Sequence, residues 1–157
     1  MSAQVPLGAG YFLTSELESG AAAELEKLFY FNPNQWKIRP SLEVAIQKYG
    51  TPQIAVSHGA IQMLLEKIQG HQTLFLRCHA RGDQLAGAIV YVREREALRV
   101  LFFALKPEHT MKTLNGVNPL AMMFEALQGI GRRIAGVNSI VCAVGRKEIR
   151  LPIPDRL

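Results

Sequence analysis

Leu98 to Lys106 reads LRVLFFALK, and beyond a loop from Pro107 to Asn118 the chain runs PLAMMFEALQGIGRRIAG (119–136) and then VNSIVCAV (137–144). The centre of the first segment, Val100 to Leu105, is apolar throughout, which predicts a strand covered on both faces. In the second, Leu120, Met123, Phe124, Leu127, Ile130 and Ile134 recur at spacings of three and four, the stripe of an amphipathic helix. Asn118 is a suitable N-cap and Pro119 suits the first helical position. Arg132 and Arg133 complement the helix dipole in the last turns, and Gly136 is the expected stop. Val137 to Val144 is a second buried strand. Strand, helix and strand in that order form a β-α-β unit, so the two strands should be parallel and joined by a right-handed crossover.

Working outward toward the N-terminus, the period is two. Thr73–Arg81 (TLFLRCHAR) and Leu85–Arg95 (LAGAIVYVRER) are strand-like and separated by Gly82-Asp83-Gln84, a hairpin connection. A turn at Glu96-Ala97 leads on to Leu98. Earlier still, helical spacing predominates. Ser19–Phe31 carries Ala22, Leu25, Leu28 and Phe29 on one face and is ended by Asn32-Pro33-Asn34. A second helix is expected from Pro40-Ser41 to Gly50, with Pro52 beyond. A third is expected from Ser57 as N-cap, with Ile61, Leu64, Leu65 and Ile68 on one face and Gly70 at its end. Tyr11–Leu17 reads as a short first strand. The tail from Gly145, with Pro152 and Pro154, reads as at most an edge segment. The expected fold is α/β, a mixed central sheet flanked by helices, in one domain spanning 1–157. Its first half, 1–70, is helix-rich, and its second, 71–157, is strand-rich.

Composition narrows the class. With 157 residues, 48% hydrophobic and 20% charged, the chain has enough apolar surface to exclude intrinsic disorder. No apolar run approaches the ~18 residues of a membrane span. Met1–Gly10 lacks the basic and apolar regions of a signal peptide, so a cytoplasmic location is expected. There Cys78 and Cys142 would be small core residues rather than a disulfide. His58, His71 and His79 are not spaced as metal ligands, and no metal is expected. Ser57-His58 and Cys78-His79 put nucleophile beside base only in sequence; along a strand, neighbours face opposite ways. The net charge of +5 is too small to name a partner.

The loop carries the strongest chemical signal. Leaving the carboxyl end of a buried parallel strand and entering a helix, it presents backbone N–H groups and the positive dipole end. Gly116 allows close approach, and Lys106 and Lys112 add charge. An anion such as a pyrophosphate suits this loop; an ordinary capped loop is the alternative.

The strand order, the segment Leu105-Lys106-Pro107-Glu108 and the helix opening after Gly116-Val117-Asn118 resemble the GNAT-type N-acetyltransferases. The likeness covers Tyr11 to Val144 in element order and Val100 to Ile134 in motif. It implies that the loop cradles the coenzyme A pyrophosphate and that the preceding strand hydrogen-bonds the pantetheine arm. It implies also that the strand after the helix splays away to admit the acceptor amine. Carried across, Leu105, Lys106, Lys112, Thr113, Leu114, Asn115, Gly116, Val117 and Asn118 would hold the cofactor. Thr113 stands where the family has Gln or Arg, Asn118 where it has Gly or Ala. The end of the chain implies a shortened member lacking the usual last helix and closing strand pair. A base is needed for the acceptor ammonium, and Glu108 and His109 at the strand's carboxyl end are the candidates, with two solvated loop residues as the alternative. Phe29, Tyr30, Phe31 and Trp36 would border the acceptor site or else seal the helical layer.

Acetyl transfer from acetyl-CoA to a small-molecule or peptide amine is thus one expectation. A non-catalytic interaction module of the same fold, pairing through the sheet edge left after Val144 as a homodimer, is the second. A nucleic-acid surface built on Arg77, Arg81, Arg93 and Arg95 is the third, against which the interleaved glutamates argue.

Overall fold

Burial alternates or runs continuously along the chain as each strand's place in the sheet requires. The computed structural model describes residues 4–8, 10–37, 39–79, 84–109, 118–144 and 147–154. Its elements are β1 (Val5–Gly8), β2 (Tyr11–Thr14), α1 (Ala22–Tyr30), α2 (Pro33–Lys37), α3 (Arg39–Tyr49), β3 (Gln53–Ser57), β4 (Ala60–Leu64), β5 (Gln72–Cys78), β6 (Gln84–Glu94) and β7 (Ala97–Leu105). They continue as a short 3-10 turn (Pro107–His109), α4 (Pro119–Arg132), β8 (Ser139–Val144) and β9 (Lys147–Pro152). Seven strands form one sheet in the order β1-β2-β5-β6-β7-β8-β9. β7 and β8 are parallel, and the other neighbouring pairs are antiparallel. The mixed α/β architecture and the parallel pair across the helix are as expected.

Helices cover both faces. On one, α1, α3 and the β3–β4 hairpin pack Leu25, Leu28, Ile61 and Met63 against Phe75, Leu101 and Phe102. On the other, α4 sets Met123 on Tyr11, Leu76 and Leu105, and Leu127 on Ile89, Leu98 and Ile140. Met123 and Leu127 are fully buried, and each such side chain contributes roughly 1.5–3 kcal/mol of hydrophobic stabilisation.

Two expectations are corrected. The helix expected after Ser57 is a hairpin: Ser57 pairs with Ala60 around His58 and Gly59, both at positive φ, the backbone of a two-residue type I′ turn. Ile61, Met63 and Leu65 are buried while Gln62 and Leu64 are exposed, a period of two that the helical reading missed. With β1 and β2, this puts four strands in the half expected to be helix-rich. The tail after Val144, expected as at most an edge segment, is the six-residue edge strand β9. Its end is fastened by Ile153, whose N–H bonds the Asn138 carbonyl at 2.8 Å and whose side chain lies against Gly131 of α4. Finally, α4 stops at Arg132, four residues short of Gly136.

Candidate functional site

The sheet opens between its two parallel strands. β7 and β8 are in register from Ala97 and Ser139 to Val100 and Cys142. Beyond that point Ala143 and Val144 stay paired with Glu148 and Lys147 of β9, while β7 continues to Leu105 paired with β6 alone. A bulge sits at the divergence. Val100 lies opposite Tyr91 and Phe102 opposite Val90, so Leu101 is an extra residue on β7. Bulges raise local twist and bend the strand that carries them, which turns the second half of β7 away from β8. The extra residue also breaks the alternation, so that Leu101 and Phe102 both join the core beneath α1 and α3.

The open half directs main-chain groups into the gap. The Lys106 N–H bonds the Ala86 carbonyl at 2.8 Å. By antiparallel alternation the N–H and C=O of Phe103 and Leu105 then point away from β6, toward the fork. The Leu105 carbonyl is occupied there by two amides, Asn32 Nδ2 at 2.7 Å and Asn34 Nδ2 at 2.9 Å. Asn32-Pro33-Asn34, expected as a helix stop, also fastens the α1–α2 turn to the end of β7 through its two asparagine side chains.

At the apex of the fork is a cavity of about 90 Å³. Leu42, Ala45 and Tyr49 of α3 roof it, Leu101 and Phe102 form one wall, and Cys142 and Ala143 the other. Lys48, Arg99 and Glu148 supply the charge at its rim. Arg99 lies between two carboxylates, with Glu94 at 2.9 Å and Glu148 on its other side. Burial works against its charge, but these bonds outweigh it and hold the guanidinium above its ordinary pKa. The bond from Arg99 in turn lowers the pKa of Glu148. Burial pushes the Cys142 thiol up to about 11, so it stays protonated near neutrality. Neither the α3 roof nor the Arg99–Glu148 pair was foreseen. The one available signal was Arg99 itself, a charge in an otherwise apolar strand.

The expected site residues are distributed as follows. Glu108 is exposed and His109 is buried, its Nδ1 2.6 Å from the Tyr11 hydroxyl. That bond ties the turn toward β2, three strands from β7 on the side away from β8. The described residues lining the fork cavity include neither Glu108 nor His109. Lys106 reaches Glu24 of α1 at 3.2 Å. Asn118 caps α4, its Oδ1 accepting from the N–H groups of Leu120 at 3.0 Å and Ala121 at 3.3 Å. Pro119 has no N–H, and the Met122 N–H bonds the Asn118 carbonyl, so these donors are engaged within the helix. Lys112, Thr113, Leu114, Asn115, Gly116 and Val117 lie outside the described residues. Of the aromatic group, Phe29 is buried in the core while Tyr30 and Phe31 face solvent.

Arg77 is bound to Glu18 at 2.7 Å, and Arg93 Nη2 donates to the Ala135 carbonyl at 2.9 Å, at opposite ends of the β5–β6 hairpin; Arg81 lies outside the described residues. Cys78 and Cys142 are both buried and unbridged. Among the described residues no three His, Cys, Asp or Glu side chains are grouped to hold a metal ion. Among the same residues no helix is long and apolar enough to cross a membrane.

No family model matches the chain, and no curated protein sequence does. Among solved structures it is similar to the crystal structure of nourseothricin acetyltransferase, at 14% identity and a TM-score of 0.42, over 85% of this chain and 73% of that one.

Proposed function

We propose that the chain is a GNAT-like protein that binds acyl-CoA and transfers its acyl group, acetyl in the simplest case, to an amine. The observation that carries this reading is the fork: paired up to Val100 and Cys142, open beyond. In the GNAT-type arrangement that the sequence resembles, a strand's main chain grips the arm and a gap beside it lets the amine reach the carbonyl carbon. A continuous sheet offers neither. The amine nitrogen bonds that carbon, the C–S bond breaks, and the departing thiolate takes up a proton as the nitrogen loses one.

The residues present fit the acyl-bearing end of coenzyme A. Phe103 and the Leu105 N–H would bond the arm, and the apolar apex would take the acyl group. The Leu105 carbonyl is a weaker candidate, being held by Asn32 and Asn34. With the first-turn donors of α4 engaged in capping, the pyrophosphate would depend on the loop from Lys112 to Val117. For the proton we propose the exposed Glu108, just beyond the carboxyl end of β7 and acting through water; His109 is held toward β2 by Tyr11. The edge strand β9 shows exposed Lys147, Glu148 and Arg150, charges that discourage strand addition by a second copy, so acyl transfer is preferred to edge-paired dimerisation.

The test is the thermal midpoint with and without millimolar acetyl-CoA, with coenzyme A and ATP as controls. Ligand at a hundred times its Kd stabilises by about 2.7 kcal/mol, or roughly 5–10 °C for a domain of this size. Both CoA species should shift the midpoint by that order and ATP by less. Gly116→Asp should remove the shift. Absence of any shift with the CoA species sinks the reading.

A further inference from the structure

We infer that the fork cavity holds the donor's acyl chain and is matched to a chain longer than acetyl, an acyl group of four or five carbons. This rests on the acyl-CoA reading above and specifies its donor.

Position is the first argument. The cavity is lined by β7 from Arg99 to Phe103 and by Cys142 and Ala143, so it lies at the closed apex of the fork and not at its mouth. An arm laid along the carboxyl end of β7 with its thioester foremost points the acyl chain into that apex. Size is the second. A cavity of about 150 Å³ accommodates the six carbons of benzene, so about 90 Å³ suits roughly three to four carbons. An acetyl group places one methyl beyond its carbonyl and would leave most of this space empty; a butyryl or valeryl chain fills it.

Chemistry is the third. The walls are Leu42, Ala45, Leu101, Phe102 and Ala143, with the neutral thiol of Cys142 among them. An alkyl chain entering there leaves water for an apolar surface. An acceptor ammonium in the same place would be stripped of water, with the rim carboxylate of Glu148 already bound to Arg99. The amine therefore approaches from the open side, and the apex belongs to the acyl group. Transfer is balanced as before: the acyl carbon passes from sulfur to nitrogen, and the thiolate is protonated.

The experiment is calorimetric titration of the whole chain with coenzyme A and with acetyl-, butyryl-, isovaleryl- and octanoyl-CoA. It is repeated on Ala45→Leu, which narrows the cavity from α3, and on Ala143→Leu, which narrows it from β8. Each buried methylene should tighten binding about fourfold, so butyryl-CoA should bind roughly fifteenfold more tightly than acetyl-CoA. Octanoyl-CoA should gain nothing further. The butyryl-to-acetyl ratio, taken within each variant so that a general loss of affinity drops out, should fall to near one in either leucine variant. Two walls are tested because one variant alone could fail to fold. Equal affinity for all the CoA species in the unaltered chain would overturn the chain pocket while leaving the CoA reading intact. A ratio unchanged in both folded variants overturns it too. If no CoA species binds, both fall together.

Discussion

From Ala97 to Val100, β7 is paired on both sides, to β6 and to β8; from Leu101 to Leu105, β6 alone remains. The two halves are alike in composition, apolar apart from Arg99, and alike in burial. What separates them is register. One extra residue at Leu101 bends the second half away, and β8 passes on to β9 at that same level. The opening in the sheet is thus made by backbone geometry in a strand whose side chains are those of a continuous core. The closed half bears the stability of the parallel pair, and the open half offers main-chain groups to something else.

Truncating a side chain in each half should break that symmetry. Leu98 is 1% exposed, lies 3.4 Å from where a Cβ on Gly131 of α4 would sit, and pairs with Ile140 in the ladder. Leu98→Ala leaves a void among rigid neighbours and should cost about 2–5 kcal/mol. Leu101 borders a cavity that already lacks atoms on one side, so Leu101→Ala forfeits fewer contacts and should cost distinctly less. Chemical denaturation of both variants decides the point; a Leu101→Ala loss equal to or above that of Leu98→Ala would show the open half to be as fully packed as the closed one.

A smaller effect is expected where β6 alone supports the open half. A Cβ at Gly87 would lie 2.8 Å from the Ala104 carbonyl oxygen and 2.9 Å from Leu105 Cδ1. The first neighbour is main chain and cannot turn aside. Gly87→Ala should therefore destabilise by about 1–3 kcal/mol, and by shifting Ala104 and Leu105 it should weaken any CoA-dependent rise in thermal midpoint more than in proportion. Retention of the full rise in a folded Gly87→Ala protein would separate the open half of β7 from ligand binding.

Much of this architecture can be read from the residues, and the reasons for what cannot are specific. The β-α-β unit is legible because Val100–Leu105 and Ile140–Cys142 are continuous apolar runs and the stripe from Leu120 to Ile134 keeps helical spacing. The β3–β4 hairpin is not, because Ile61, Leu64, Leu65 and Ile68 also satisfy a helical spacing. What settles it is that His58 accepts positive φ beside Gly59. The fork itself leaves no trace in composition: a bulge in an all-apolar run changes no residue type. Gly116 and Lys112, which mark the loop as a ligand candidate, lie outside the described residues, and the apolar apex has no such signal in the sequence. Its walls come from α3, β7, β8 and the rim from β9, segments brought together only by the strand order.

The smallest expected effect concerns the charged rim. Glu148 bonds Arg99, the last charge of the closed half, and that bond lowers the carboxyl pKa from its ordinary value of 4.5. A depressed folded-state pKa means that the pairing contributes fully above about pH 4.5 and is lost as pH falls through the lowered folded value. Glu18 on Arg77, far from the fork, behaves in the same way and for the same first cause. Both carboxylates are largely exposed, so each pair should contribute only about 0–1 kcal/mol, diminished by salt. Urea midpoints measured between pH 3 and pH 7 should fall at the acid end, and Glu148→Gln and Glu18→Gln should each flatten that fall slightly. Only Glu148→Gln should also remove an acid-sensitive component of acyl-CoA binding, because only that pair closes the rim of the cavity. Identical acid profiles of binding in the two variants would mean that the rim charges hold β9 to β7 and have no part in what the open half receives.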